Sequence, residues 1–257
     1  MGRRDNPYQG KTIFITGASS GIGASLAKEL VRRGARVGLL ARREDRLQEL
    51  AAEIRSAEGT AAWAAADVRD GEAMSRALGR LRETLGPPDV VVANAGTNRP
   101  ETAKNFQPGA ALNLYDINLL GMLRLVDWAL PGFLDRGSGQ IVGVASLASY
   151  VGLSANAAYC GSKAAMRVHL QSLRVSLKST GVAVTTICPG FVKSELTDRV
   201  KFPMPFLWET ERATRYIADA MERRRGEVAF PWQMALAVGF LARLPASLAE
   251  RFLRRTA

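Results

Sequence analysis

The stretch from Thr12 to Gly23 constrains the fold of this chain more than any other. Its first part, TIFIT, is β-branched and aromatic, and it stops at the glycine-rich segment GASSGIG. From Ile22 onward, apolar residues recur at helical spacing, at Leu26, Leu30 and Val31. This pattern predicts a buried strand, a tight turn and a helix that begins inside the turn.

A turn of this kind favours a bound pyrophosphate. Glycine adopts positive φ and lets a phosphate approach where a Cβ would collide, and the free N–H groups at a helix start attract anions. The spacing is G-x-x-x-G-x-G rather than the common dinucleotide fingerprint G-x-G-x-x-G, so the motif transfers only by its mechanics. The alternative is a glycine turn between a core strand and a core helix without a ligand.

Length and composition fit one α/β domain with a large core. The chain has 257 residues, 47% of them hydrophobic, and a formal net charge of +11. That charge suits nucleic acid or an anionic membrane. However, the arginines are spread through helical segments without a nucleic-acid recognition motif, so we expect no nucleic-acid partner. We predict a single domain over 1–257, with an N-terminal arm at 1–9, a substrate lid at 192–225 and an apolar, basic helical extension at 231–257.

Cysteine and histidine are too scarce for several kinds of site. Cys160 and Cys188 give no disulfide framework and suit a reducing cytoplasm, so we predict a cytoplasmic protein in which both cysteines pack as small apolar residues. The one histidine, His169, excludes a histidine-rich metal site, and we expect a structural helix residue and no metal. No apolar run follows Arg3 and Arg4, which argues against a secretory signal.

Further apolar runs predict more strands, at 36–41, 61–68, 89–93, 140–145 and 226–230. Helical segments separate them, and we expect helices that end near Ala57 or cover about 71–85 and 112–136. A continuous apolar strand between helices is typical of a parallel sheet covered on both faces. The chain therefore predicts a doubly wound parallel sheet of about seven strands with flanking helices.

Two arginines follow the second predicted strand. An acidic residue there would accept hydrogen bonds from an adenosine ribose, whereas Arg42 and Arg43 can bind a ribose 2′-phosphate. The pattern favours NADP(H) over NAD(H), and Arg42 is the stronger candidate. The alternative is that one or both arginines only open the next helix.

Polar groups follow other strands at the same predicted edge of the sheet. Asp67 and Val68 come where an adenine could lie, while Asn94 and Gly96 come where the sheet meets a ligand crevice. Asp70 can cap the helix that follows.

A tyrosine and a lysine, Tyr159 and Lys163, share one face of a predicted helix at i and i+4. An ammonium there would stabilise an ionised phenol, whose unperturbed pKa of about 10 is too high for proton exchange at neutral pH. Most such pairs are ordinary surface neighbours, so the weight of this one depends on its surroundings. These include Ser146, after the fifth strand, and Asn118, inside a helix where a buried amide needs partners.

Together these residues resemble the short-chain dehydrogenase/reductase family, of the common type of about 250 residues, over nearly the whole chain. The motifs that carry the resemblance are TGASSGIG from Thr16, NAG from Asn94, Y-x-x-x-K from Tyr159, and Pro189-Gly190 followed by Val192 and Ser194. The chain departs from the pattern at Ser20, where NADP-using members often carry a basic residue, and at Ser194, where threonine is more usual.

The resemblance implies a Rossmann-like fold, hydride transfer between NADP(H) and a carbonyl or secondary alcohol, with NAD(H) as the other cofactor, and a homodimer or homotetramer. It implies that Tyr159 is the general acid, that Ser146 donates a hydrogen bond to the reacting oxygen, that Lys163 favours tyrosinate and holds the ribose, and that Asn118 anchors a water. The residues that it implies for cofactor binding are Gly17, Ser19, Ser20, Gly21, Ile22, Gly23, Arg42, Arg43, Asp67, Val68, Asn94, Ala95, Gly96, Tyr159, Lys163, Pro189, Gly190, Val192 and Ser194.

Two apolar segments bear on the substrate. The run from Phe202 to Trp208 suggests an apolar substrate wall, or packing against the body or a second subunit. The run from Met234 to Ala242 has nine residues, too few for a bilayer span of about 20. It could lie on an anionic membrane, contact a subunit or cover the active site. We predict an NADPH-dependent reductase of an apolar or lipid-like ketone or aldehyde; the alternative is a non-catalytic NADP(H)-binding sensor or scaffold.

Overall fold

The computed structural model describes residues 7–102, 104–198 and 203–253. In this part of the chain, seven parallel strands form one sheet in the order β3-β2-β1-β4-β5-β6-β7. The strand order reverses between β1 and β4, which is the doubly wound arrangement, and the predicted fold class is confirmed. The strands are β1 (Thr12–Thr16), β2 (Arg36–Ala41), β3 (Thr60–Ala65), β4 (Val90–Ala93), β5 (Gly139–Val144), β6 (Val182–Pro189) and β7 (Glu227–Phe230).

Helices cover both faces of the sheet. One apolar layer includes Leu26, Leu47 and Ile217, and the other includes Leu78 and Met166. The strands between them are buried on both faces, as the continuous apolar runs predict. The helices are α1 (Gly21–Arg32), α2 (Glu44–Ser56), α3 (Gly71–Leu85), α4 (Pro108–Tyr115), α5 (Gly121–Asp135), α6 (Ala157–Ser176), α7 (Thr210–Glu222), α8 (Trp232–Leu241) and α9 (Ala246–Leu253).

The helix predicted at 112–136 differs from the one observed. It begins earlier, at Pro108, and a π-helical turn over Asp116–Leu120 joins α4 to α5. The combined stretch 108–135 is long and apolar enough to cross a membrane, but 44% of its most apolar window is buried inside the protein. Met122, Leu125 and Phe133 of this stretch belong to the buried core.

Three predicted strands are shorter in the structure, and the last of them loses one residue at its start. The third ends at Ala65, so Asp67 and Val68 lie in the loop that follows. The fourth begins at Val90, and the Asp89 carboxylate just before it accepts a hydrogen bond from the backbone N–H of Thr12 at 2.9 Å. Asp67 and Val68 therefore follow the end of β3, and Asp67 stays near Arg42, which follows β2.

The predictions for the sulfur and imidazole groups agree with the structure. Cys160 and Cys188 are buried and free, and burial raises the pKa of the Cys188 thiol to about 11. His169 lies exposed on α6. Asp70 caps α3 by accepting a hydrogen bond from the N–H of Ala73 at 2.9 Å.

Candidate active site

The glycine-rich turn is built by close backbone packing. Gly17 has a φ of +67°, and a Cβ on it would lie 2.7 Å from Cα of Ala95. A Cβ on Gly23 would lie 2.3 Å from the Gly17 carbonyl oxygen. Asn94 holds the turn in place, because its Nδ2 donates to the carbonyls of Thr16 and Gly17 at 3.1 Å each. The turn is thereby joined to the end of β4.

The start of α1 has the properties of an anion site. Ser20 is its N-cap and, among the described residues, makes no side-chain cap bond. The Arg43 guanidinium donates to the hydroxyls of Ser19, at 3.1 Å, and Ser20, at 2.7 Å, and it also binds the Glu195 carboxylate at 3.0 Å. Hydroxyl, guanidinium and helix N–H donors therefore meet beside the turn, and this donor set fits a nucleotide phosphate.

The two arginines after β2 differ in what they contact. Arg42 is largely exposed, and its guanidinium lies 3.8 Å from the Asp67 carboxylate. The sequence favours Arg42, yet Arg43 is the one that contacts the glycine-rich turn. Asp67 is engaged mainly by Arg69, 2.7 Å away, which holds the pKa of the carboxyl below its usual range. Val68 is buried.

Ser146 and Tyr159 form a hydrogen-bonded pair at the end of β5. Ser146 lies just after the strand, and Tyr159 is partly buried in the first turns of α6. Burial raises the pKa of the Tyr159 phenol, while the hydrogen bond with Ser146 opposes that effect. The expectation that Lys163 lowers this pKa is not what the structure shows.

Lys163 is buried beside the same strand end. Its Nζ donates to the Val144 carbonyl at 2.7 Å, and burial lowers the pKa of its ammonium to about 8. Desolvation disfavours charge on both the lysine and the tyrosine. The pKa of the phenol is therefore raised, whereas the sequence predicts that it is lowered. Oppositely shifted acid and base groups in one site are typical of proton-transfer centres.

Asn118 lies fully buried within the π-helical turn. Its Oδ1 accepts a hydrogen bond from the Thr97 N–H at 2.8 Å, and its Nδ2 donates to the Thr97 carbonyl and the Ser162 hydroxyl at 3.0 Å. Because both amide donors are engaged, the side chain positions the loop after β4. A Cβ on Gly96 would lie 3.3 Å from Nζ of Lys163 and 3.4 Å from Oδ1 of Asn118, so the three residues converge.

The segment after β6 spans the site. Pro189 ends the strand, and a Cβ on Gly190 would lie 3.2 Å from Leu147, the neighbour of Ser146. At its other end, the Cβ of Ser194 lies 3.2 Å from where a Cβ on Gly21 would be. Val192 is buried and Ile22 packs on the core beside it. The structure thus brings the predicted residues of eight separate segments to one edge of the sheet.

Glu101 is a residue of this region that no sequence pattern indicates. The N-cap of α6, Asn156, makes no side-chain bond to the helix among the described residues; its Oδ1 accepts a hydrogen bond from Asn98 instead, at 2.9 Å. The buried Glu101 carboxylate accepts from the N–H of Ala158 at 3.0 Å, and the Glu101 N–H donates to the Ala155 carbonyl at 2.8 Å. A loop 57 residues away therefore caps the helix that carries Tyr159.

A cavity of about 390 Å³ lies beside the contact between Glu101 and the start of α6. Apolar side chains of Phe106 and Leu153 line it, together with Glu101 and Ala157. It opens next to Ala157, at the start of α6, the helix that carries Tyr159.

The predicted lid has a packed part and an exposed part in the structure. Trp208 packs on the body, with its ring stacked on Phe230 at 4.9 Å between centroids and edge-on to Tyr216. Phe206 and Leu207 are exposed. Packing therefore accounts for Trp208, while Phe202 lies outside the described residues.

Comparisons with known proteins agree with this geometry. The family model described as short chain dehydrogenase matches residues 11–203. An uncharacterised oxidoreductase of Myxococcus xanthus is 41% identical over 245 residues, which are 95% of this chain and 97% of the relative. The ketoacyl reductase HetN of Nostoc sp. is 34% identical over 183 residues, which are 71% of this chain and 64% of the relative.

The fold is shared with solved structures of the same class. The crystal structure of an actinorhodin polyketide ketoreductase with NADPH has a TM-score of 0.80 and 25% identity, and the match covers 88% of this chain and 97% of that one. The chain belongs to the short-chain dehydrogenase family. It is an NAD(P)-dependent oxidoreductase.

Proposed function

We propose that the protein is an NADPH-dependent reductase of an apolar or lipid-like ketone or aldehyde. The observation that carries the proposal is the group of Ser146, Tyr159 and Lys163 beside the glycine-rich turn, with a hydrogen-bonded phenol and a buried ammonium of lowered pKa. Hydroxyl, phenol and ammonium are the groups that a carbonyl reduction requires.

The residues present fit a dinucleotide. The close packing of Gly17 on Ala95 and the N–H groups at the start of α1 leave the turn shaped for a pyrophosphate. When bound, the nicotinamide supplies the hydride. We assign the binding of the ribose hydroxyls to Lys163 and Tyr159, and the flank of the nicotinamide to the segment from Pro189 to Ser194.

The chain itself performs the proton chemistry. As negative charge builds on the carbonyl oxygen, Tyr159 donates its phenolic proton to that oxygen, and its raised pKa keeps the proton available at neutral pH. Ser146 donates a hydrogen bond to the same oxygen. Lys163 lies beside this group with its Nζ bonded to the Val144 carbonyl, and Asn118 fixes the loop after β4.

NADP preference rests on the arginines. Arg43 donates hydrogen bonds to the Ser19 and Ser20 hydroxyls at the turn. Arg42 makes a long contact with Asp67, so its guanidinium can reorient toward a phosphate. Charge-assisted bonds to a 2′-phosphate are worth about 1.5–3 kcal/mol each, or roughly 10- to 100-fold in affinity. The relative that was crystallised with NADPH is consistent with this preference.

Fluorescence titration with NADPH and NADH tests this preference for NADP. Arg43→Asp and Arg42→Asp should each weaken NADPH binding by roughly 10- to 100-fold and NADH binding much less. Arg46→Asp, which removes the same charge from α2 at an exposed position paired with Glu49, is the control and should change neither. An equal loss for both cofactors in the Arg42 and Arg43 variants would refute the 2′-phosphate role.

The substrate proposal rests on the apolar cavity lined by Phe106 and Leu153, and on the ketoacyl reductase among the relatives. Turnover of NADPH should rise along a series of ketones and aldehydes of increasing chain length. Tight binding of NADPH without turnover of any of them would instead favour the sensor or scaffold function.

We also propose a cytoplasmic homodimer or homotetramer. Support comes from exposed apolar side chains on α4 and α6, namely Leu112, Val168 and Val175, which are 69%, 57% and 72% exposed. The composition, with two buried thiols, suits a reducing compartment.

A further inference from the structure

Helix α8 is apolar on every side. Between Trp232 and Leu241 it carries no charged residue, and Gln233 is its one polar side chain. A surface helix of a soluble protein usually turns charged residues outward. All of α8 is described, and none of its residues is fully buried.

The helix has one packed face and one open face. Met234, Ala235 and Val238 pack against the core. On the outer side Trp232, Leu236 and Phe240, four residues apart, are 66%, 65% and 64% exposed. They form a continuous apolar stripe, hereafter the α8 stripe, that the described residues do not cover.

Basic residues follow the α8 stripe along the chain. Arg243 follows the helix and donates to the Gly239 carbonyl at 2.7 Å, and Arg251 lies on α9. Between 231 and 257 the sequence has four arginines and one acidic residue. Helix α9 adds two exposed apolar side chains one turn apart, Leu248 and Phe252.

We propose that the α8 stripe, with Arg243 at its end, binds the surface of an anionic membrane. Tryptophan, other large apolar side chains and arginine together are the composition of a helix that lies in the plane of a lipid interface. Anionic headgroups complement the local charge. A second copy of this chain fits less well, because both copies carry the same positive charge, +11 in formal count.

The position of α8 gives such a contact a consequence for the reaction. A Cβ on Gly190 would lie 3.0 Å from the Met234 sulfur and 3.2 Å from Leu147, the residue after Ser146. The membrane-facing helix therefore packs against the wall of the candidate active site. If the proposed function holds, an apolar substrate would enter from lipid rather than from water.

Vesicle flotation tests the attachment without cofactor or substrate, so its result is independent of the proposed reaction. The full-length protein should float with vesicles of phosphatidylcholine and phosphatidylglycerol, and much less with phosphatidylcholine alone or at high salt. Leu236→Asn with Phe240→Asn should reduce the bound fraction by roughly tenfold or more, because these variants remove exposed apolar area. Leu134→Asn, at an exposed apolar position of α5, is the control and should bind normally.

Tryptophan emission adds a local readout. Anionic vesicles should shift the emission to the blue, and Trp232→Phe should abolish the shift while flotation persists. Absence of flotation with anionic vesicles, or equal flotation with neutral ones, would overturn the proposal. A halved molar mass of the Leu236→Asn, Phe240→Asn protein in light scattering without vesicles would do so too, by showing that the α8 stripe is a subunit contact.

Discussion

Tyr159 has a chemical counterpart nearby in Tyr150. The Tyr150 hydroxyl donates to the Glu227 carboxylate at 2.6 Å, and the Arg167 guanidinium lies 4.0 Å over its ring. Tyr159 instead shares a hydrogen bond with Ser146. Two partly buried phenols nine residues apart therefore have different tasks, one of them structural.

Replacing each phenol by phenylalanine separates these tasks. Tyr159→Phe should lower kcat by about a hundredfold or more and leave NADPH affinity nearly unchanged, because the phenol is required for proton transfer. Tyr150→Phe should keep most of the turnover and lower the melting temperature, since the Glu227 acceptor loses a partner. Steady-state kinetics and thermal unfolding of both variants measure this, and normal turnover of Tyr159→Phe would exclude it as the acid.

Lys163 links the site to the pH dependence of stability. Its pKa is lowered from 10.5 in the unfolded chain to about 8 in the fold, so between these values the unfolded state binds more protons. The contribution of this group to stability is therefore lowest below pH 8 and rises from there toward pH 10.5.

Lys163→Met removes that dependence. The free energy of unfolding of the variant minus that of the wild type should fall by about 3 kcal/mol as the pH rises from about 7 to about 10. Denaturant unfolding of both proteins across this range measures the difference. A difference that stays constant with pH would mean that the buried ammonium is not desolvated as the structure indicates.

At the scale of elements, the start of α6 depends on a distant loop. Glu101 supplies the cap that Asn156 does not, and its carboxylate reaches Ala158, next to Tyr159. The same loop is held from the other side by Asn118 through Thr97. Loop, π-helical turn and catalytic helix therefore form one hydrogen-bonded unit.

Removing the cap should loosen this unit. Glu101→Ala leaves a buried N–H without its acceptor and should reduce stability by about 1–3 kcal/mol and kcat/KM several-fold. Glu101→Gln keeps an acceptor oxygen and should retain most of both. Glu72→Ala, which removes an exposed carboxylate from α3, is the control. The role would be refuted if the alanine and glutamine variants behaved alike.

At the scale of the whole molecule, the parallel sheet collects the site. β1, β4, β5 and β6 all end at the same edge, and the candidate residues follow these ends. The helices lie outside the sheet, and α4 and α6 carry exposed apolar side chains.

The exposed apolar side chains of α4 and α6 predict a contact between subunits. Val168→Glu and Val175→Glu should each lower the molar mass by half or more in light scattering, because a carboxylate would have to be buried in the contact. Thr84→Glu, which adds the same charge to an exposed position of α3, should leave the mass unchanged. An unchanged mass in both valine variants would place the subunit contact elsewhere.

Local patterns in the sequence were sufficient for the fold class, and they named candidate site residues that the structure places at one edge of the sheet. The period of the apolar residues gave the strands and helices, and glycine and helix-start chemistry gave the cofactor turn, because those properties are local to the chain. The predicted ends of helices and strands differ from the observed ones, as at Pro108, where the helix begins earlier than the apolar pattern indicates.

Only the tertiary structure decided how the site residues are used. It showed that Arg43 rather than Arg42 contacts the turn, that burial raises the pKa of Tyr159, and that Glu101 caps α6. Each of these depends on desolvation or on contacts between residues far apart in the chain. Such effects arise only when the folded backbone brings those groups together, so no local pattern contains them.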